Sequence, residues 1–309
     1  MNHLLRFLPS LILSCLLLTQ TTNAQEKKPA AKKPTKKPAK TSSTDQALGK
    51  LGAKKVLYKK VGDVSLHLWF FYPQGHQVSD KRPAIVFFFG GGWNGGTPTQ
   101  FSDQSQYLAA RGMVCIVADY RVKSRHKTSP FECVKDGKSA VRWIRAHASK
   151  HGIDPDRLAA GGGSAGGHVA AATATVPGLN EEGEDLAISC RPNALVLFNP
   201  VYDNGPQGYG FDRVGKEKRY REISPIDNIR KGTPPAIVFL GDMDSLIPVA
   251  TAQRYQKLMQ TVGSESVLHI YKGQAHGFFN IRKGGQKIFD QTMQQTDQFL
   301  TKLGYLKAR

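Results

Sequence analysis

An α/β fold with a mostly parallel central sheet is what this sequence predicts, and three observations carry the prediction. Short apolar runs of strand length alternate with longer stretches of helical length. Those runs are apolar at almost every position, not at every second one, as strands buried on both faces require. The chain of 309 residues suffices for one large core, and neither an internal repeat nor a second linker divides it.

The elements follow in order. Lys54 to Lys60 and Val64 to Phe71 are β-rich runs separated by Gly62-Asp63, which reads as an antiparallel hairpin. Ala84 to Phe89 is continuously apolar, and so is Val114 to Ala118. Arg157 to Gly161 forms a short buried strand behind the turn signal Asp154-Pro155-Asp156. Leu195 to Phe198, Ala236 to Leu240 and Val267 to Tyr271 complete the set. Helices are expected at 100–111, 134–150, 165–176, 249–262 and 286–303, the third ended by Pro177-Gly178. Strands alternating with helices give a layered sheet with helices on both faces. The irregular stretch 202–229 is long, Gly-rich and aromatic, and lies between two core strands. Loops of that length in a compact domain are usually lids or binding loops, so it is expected to cap the mouth of the sheet.

The first 47 residues are expected to lie outside this fold. Arg6, the apolar run Leu11 to Leu18 and the small residues Thr22-Asn23-Ala24 compose a secretory signal over 1–24. Reading Cys15 as a lipoprotein acylation site is set aside, because the apolar run continues past it. Residues 25–47 are dominated by Lys, Pro, Ala, Thr and Ser, and read as a disordered linker ahead of a catalytic domain at 48–309. The expected location is secreted or periplasmic.

Charge is strongly unbalanced, with 43 Lys and Arg against 24 Asp and Glu, a net +19. Arg6 and the seven Lys against one Glu of 25–44 account for +7 of this, so the remainder still carries +12. A basic surface attracts polyanions, here anionic polysaccharide or another cell-surface polymer met by the linker. Solubility alone is the competing explanation. No nucleic-acid-reading motif is visible, so nucleic acid is not an expected partner. No Cys/His cluster has metal-ligand spacing, and no metal or cofactor is expected. Cys115 sits in a strand-like run, while Cys133 and Cys190 could pair outside the cell.

The chemistry centres on Gly162-x-Ser164-x-Gly166. A serine exposed on a tight strand-to-helix turn needs very small neighbours, and the context of strand, sharp turn and Ala-rich helix is the one such an elbow requires. A serine hydroxyl also needs a base, a group to orient that base, and donors for a developing oxyanion. Gly90-Gly91-Gly92-Trp93 follows a strand; a triple glycine there either makes a tight turn or lets backbone N–H groups approach a substrate oxygen, with Ala165 supplying another N–H. Asp244 follows the strand Ala236–Leu240, where open α/β sheets carry their sites, and is preferred to Asp242, which could hold the turn. His276 follows the strand Val267–Tyr271 among small neighbours. Its rival His168 sits one helical turn after Ser164 and is read as packing or a supporting hydrogen bond. The order Ser164, Asp244, His276 differs from the orders seen on unrelated protease folds.

Those residues, with Asp119-Tyr120-Arg121 and Gly152-Ile153-Asp154-Pro155-Asp156-Arg157, make residues 56–303 resemble an α/β-hydrolase of the esterase/lipase group related to hormone-sensitive lipase. Secreted bacterial carboxylesterases of the acetyl xylan and feruloyl type are the nearer resemblance. It implies an α/β-hydrolase fold with a small loop cap, the triad Ser164, Asp244 and His276, and an oxyanion hole of Gly91, Gly92 and Ala165. Two positions depart from the family pattern: Phe89 stands where a His is usual, and Gly163 stands where many members have Asp. The expected function is hydrolysis of short-chain acyl esters, small or polysaccharide-linked. A peptidase or amidase on the same fold, and a catalytically decayed polyanion-binding surface protein, are the alternatives.

Overall fold

A computed structural model describes residues 42–214 and 219–309. The expected signal segment 1–24 and most of the expected linker 25–47 lie outside the described residues. A helix the sequence reading lacks, α1 (Ser43–Lys50), opens the fold and takes up the last five residues of the linker span. Ser42 caps it by accepting from Asp45 N–H, and it buries Leu48 alone, too weak an apolar signal to announce a helix.

Eight strands form one sheet: β1 (Lys54–Val61), β2 (Val64–Phe71), β3 (Arg82–Phe88), β4 (Val114–Ala118), β5 (Ile153–Gly163), β6 (Ala194–Phe198), β7 (Ala236–Gly241) and β8 (Ser266–Tyr271). Their spatial order is β1-β2-β4-β3-β5-β6-β7-β8. The β1–β2 hairpin and the β2–β4 pairing are antiparallel, and every other pairing is parallel. Val86 in the centre lies between Ile116 and Ala160. Alternate side chains enter two separate cores. Leu68, Phe70, Val86, Phe88, Ile116 and Leu197 face one side, and Trp69, Phe71, Ile85, Phe87, Val117 and Phe198 face the other. Each such side chain contributes roughly 1.5–3 kcal/mol by leaving water, which makes this centre a rigid platform for the loops at its edge.

Helices cover both faces. Helices α4 (Pro130–Ala146), α5 (Ala165–Thr175) and α6 (Val249–Thr261) pack on the first side through Val141, Ile144, Val169, Tyr255 and Met259. The other side takes α1, α2 (Ser102–Ala110) and α7 (Ile281–Lys302) through Leu48, Leu108, Met293 and Leu300. A single turn, α3 (Lys123–His126), completes the set.

Three boundaries differ from expectation for local reasons. α4 begins at Pro130, not near 134, because Ser129 and Glu132 form a capping box with Pro130 in the first turn. β5 begins at Ile153, with Asp156 N–H bonded to Asp154 Oδ1 and a shift in pairing register between Arg82 and Ala84. α7 begins at Ile281 but breaks at Gly285, whose φ of 78° is left-handed, so the regular part starts where the sequence places it.

Candidate active site

Parallel strands point their carboxyl ends the same way, so the loops after β3, β5, β6, β7 and β8 converge at one edge of the sheet. Ser164 stands at the top of β5 with φ 54° and ψ −122°, a conformation that costs a non-glycine residue about 1–3 kcal/mol. Its surroundings hold it there. Ser164 N–H donates to Phe198 O at 3.0 Å, and Ser164 O accepts from His168 N–H and Val201 N–H. A Cβ at Gly162 would run into the backbone of Gly166, and one at Gly166 into the carbonyls of Phe88 and Phe89. Gly163 is equally closed, because a Cβ there would overlap the ring of Phe279. The Asp that the resemblance implies for this position has no room here.

The expected partners meet Ser164. His276 Nε2 lies 2.9 Å from Ser164 Oγ, and His276 Nδ1 lies 2.7 Å from Asp244 Oδ2. The Asp244 side chain is fully buried, and its Oδ1 accepts from Leu246 N–H at 2.8 Å and Ile247 N–H at 3.0 Å. Both carboxylate oxygens are therefore committed, one to the chain and one to the imidazole. An imidazole that donates from Nδ1 to a carboxylate has its Nε2 lone pair free to take the serine proton. Asp242 does something else: its Oδ1 accepts from Gly273 N–H at 2.6 Å and ties the loop after β7 to the loop after β8.

Asn199, at the end of β6, completes this cluster and was not anticipated from sequence. It is buried with φ 31°, its Oδ1 accepts from Gly277 N–H at 3.0 Å, and its Nδ2 lies 3.4 Å from His276 Nε2. It holds the histidine loop against the elbow. The rule that selects Asp244 and His276, a polar residue just past a core strand, would also have found it.

The glycine loop after β3 faces the hydroxyl. Gly90 N–H donates to Gln100 Oε1 at 2.6 Å. The N–H groups of Gly91, Gly92 and Ala165 meet no protein acceptor among the described residues, which leaves them available to a substrate oxygen. The Phe89 that replaces the usual His anchors this loop by packing. Its ring stacks on Tyr120 with centroids 4.2 Å apart, and its carbonyl accepts from the Tyr120 hydroxyl. The Arg125 guanidinium lies 5.7 Å from the centre of the same ring and donates to Gly96 O at 2.6 Å. Burial pushes the neighbouring Asp119 carboxyl up to about 6, opposed by Arg125, with which it pairs at 2.8 Å.

His168 supports the same loop, as the sequence reading expects. It is fully buried, Nε2 donates to Ile223 O at 3.0 Å, and Nδ1 accepts from Trp93 Nε1 at 3.3 Å. The elbow helix, the glycine loop and the segment before β7 are thereby joined through one ring. Burial pushes this imidazole down to about 4 from its ordinary 6.5. The unfolded chain therefore binds a proton that the folded chain refuses, and the neutral ring's stabilisation, full above 6.5, is lost as pH falls toward about 4. The urea midpoint should fall over that window. His168→Gln should flatten part of the fall, leaving the share of other histidines held low by burial, such as His76 and His151. Identical slopes for the two proteins would rule this out.

The convergent loops enclose an open cavity of about 1200 Å³ whose lining includes Ser164, His276, Trp93, Tyr209 and Arg213. Of the expected cap 202–229, Tyr209, Asp212 and Arg213 line the mouth, and Arg213 donates to Gly92 O at 2.6 Å. Cys115, Cys133 and Cys190 are all free, and Cys133 is buried with its thiol donating to Arg121 O. The Cys133–Cys190 pairing the sequence allows is therefore not made.

Comparison with known proteins agrees with this layout. A family model described as BD-FAE matches residues 70–195, and one for the dienelactone hydrolase family matches residues 208–303. The chain is similar to the solved structure of Thermogutta terrifontis esterase 2, at 44% identity and a TM-score of 0.80, over 84% of this chain and 97% of that one. That esterase has also been solved phosphorylated by paraoxon and with propionate or butyrate bound. Among curated proteins, Esterase LipC of Mycobacterium tuberculosis is 30% identical over 73% of this chain and 59% of its own length. The acetylxylan esterase of Xylanibacter ruminicola is 30% identical over 63% of this chain and 41% of its own length. The chain therefore spans between two fifths and three fifths of these two curated relatives.

Proposed function

Because the chain belongs to the esterases of the α/β-hydrolase fold, we propose that it is a secreted serine carboxylesterase that removes short acyl groups, including acetyl groups on polysaccharides. The observation that carries the reading is the unbroken line from Asp244 Oδ2 through His276 to Ser164 Oγ, at 2.7 and 2.9 Å.

In this reading Ser164 Oγ attacks the ester carbonyl carbon while His276 Nε2 takes the hydroxyl proton. The carbonyl electron pair moves onto oxygen, which accepts from the N–H groups of Gly91, Gly92 and Ala165. Collapse of the tetrahedral species expels the alcohol, which leaves with the proton from His276. Water, deprotonated by the same nitrogen, then releases the acid and restores Ser164. Asp244 keeps the Nδ1–H tautomer throughout. Short acyl groups are supported by the propionate and butyrate held by the Thermogutta esterase, and a polysaccharide ester by the acetylxylan esterase relative. Secretion is supported by the apolar run Leu11 to Leu18 followed by Thr22-Asn23-Ala24.

Hydrolysis of p-nitrophenyl acetate tests the reading. The wild type should turn it over, and Ser164→Ala should lower kcat by about 10⁴-fold or more. Paraoxon should add one phosphoryl group to the wild type, at Ser164, and none to the variant. Undiminished turnover by Ser164→Ala, or labelling at another residue, would overturn it.

A further inference from the structure

The cavity beside Ser164 carries a charge pattern that ester hydrolysis does not need. Four cationic side chains line it, Lys123, Lys127, Arg213 and Lys283, against the single carboxylate of Asp212. None of the four is paired with a carboxylate among the described residues. Two are fixed by backbone carbonyls instead. Arg213 donates to Gly92 O at 2.6 Å, and Lys283 Nζ lies 3.3 Å from His276 O. A carbonyl orients a cation without neutralising it, so positive charge is held at the glycine loop and at the histidine loop.

The placement also says which half of the substrate meets Lys283. The leaving oxygen must come to His276 Nε2 to receive its proton, so the alcohol departs along the His276–Gly277 side. Lys283 lies over Gly277, where an added Cβ would sit 3.0 Å from Nζ. A leaving alcohol therefore passes beside an ammonium whose charge no carboxylate of the described residues cancels. We propose that the preferred ester is one whose alcohol half carries an anionic group, a carboxylated sugar such as a uronic acid unit, with Lys283 as its principal contact and Arg213, Lys123 and Lys127 adding to the field at the mouth. This rests on the esterase reading and narrows its substrate class. Exposed charges attract over about 8–10 Å at moderate salt, so the preference should be salt-sensitive.

A matched pair of mono-O-acetylated methyl glycosides, the glucuronide and the glucoside, differs only by a carboxylate in place of a hydroxymethyl group. Calorimetric binding to Ser164→Ala reads recognition without turnover. At low salt the glucuronide should bind about 10-fold more tightly, the gap closing to about 2-fold at 0.5 M salt. Lys283→Gln in the same background should remove most of the gap. Equal binding of the two glycosides, or a preference that survives Lys283→Gln and Arg213→Gln together, would overturn the proposal. Turnover separates it from the parent reading. A wild type that cleaves both esters equally removes the anionic preference and leaves the esterase standing, whereas one that cleaves neither these esters nor p-nitrophenyl acetate removes both.

Discussion

Replacing Asp244 by asparagine should lower kcat for a short ester by about 10⁴-fold while the protein remains folded. The size follows from where the amide must point. Asp244 Oδ1 accepts from two backbone N–H groups, of Leu246 and Ile247. An asparagine keeps its carbonyl oxygen there, because the opposite orientation would set an NH₂ against two donors. Its NH₂ then faces His276 Nδ1, which sits 2.7 Å from Oδ2 in the native chain. A donor at that point forces the imidazole proton onto Nε2, where it points at Ser164 Oγ and blocks proton acceptance. Asp242→Asn is the matched control. Among the described residues its side chain makes one hydrogen bond, accepting from Gly273 N–H on Oδ1, which an amide oxygen preserves, so kcat should stay within about 3-fold. Comparable losses in the two variants would show that the loop after β7 is being disturbed and that no specific tautomer is at stake.

The candidate site was legible where chemistry and strand position coincide. His276 follows the edge strand β8, which is half-buried and legible through its β-rich composition, while Ser164 and Asp244 follow runs buried on two faces, a constraint local sequence expresses directly. The strand Val114 to Ala118 is found at its observed ends for the same reason. Illegible features depend on convergence of distant segments. Nothing near Lys283 in sequence tells that its ammonium will reach the carbonyl of His276, and nothing near Trp93 foretells His168. Phe89 shows a third case. The resemblance implies a polar anchor for the glycine loop, and the replacement reads as a loss until its ring is seen stacked on Tyr120 and covered by Arg125. α1 stayed hidden because a helix burying one leucine has almost no apolar periodicity.

The second large effect lies beneath that loop, in stability. Asp136→Asn should destabilise the fold by about 3–5 kcal/mol, a fall in Tm on the order of 10 °C. Asp136 is fully buried in α4 and accepts from four donors. These are Arg121 N–H at 2.9 Å, Arg121 Nε and Nη2 at 2.8 Å each, and Lys59 Nζ at 2.6 Å. Glu181 meets the same two cations at 2.7 Å. Two cations and two carboxylates balance, and the asparagine, equal in size, leaves a net positive charge where water cannot reach it. An exposed pair gives the scale, since Lys302–Glu265 is open to solvent and Glu265→Gln should change stability by less than about 1 kcal/mol. Thermal unfolding of the three proteins checks this, and a Tm for Asp136→Asn no lower than that of Glu265→Gln would refute it. The position of the network explains why so much charge is buried there. Arg121 is the next residue after Tyr120, whose hydroxyl and ring hold Phe89 at the root of the glycine loop. A hydrophobic substitute of similar volume could match the stability, but only a group with directional acceptors fixes the backbone N–H of Arg121 and with it the setting of Tyr120.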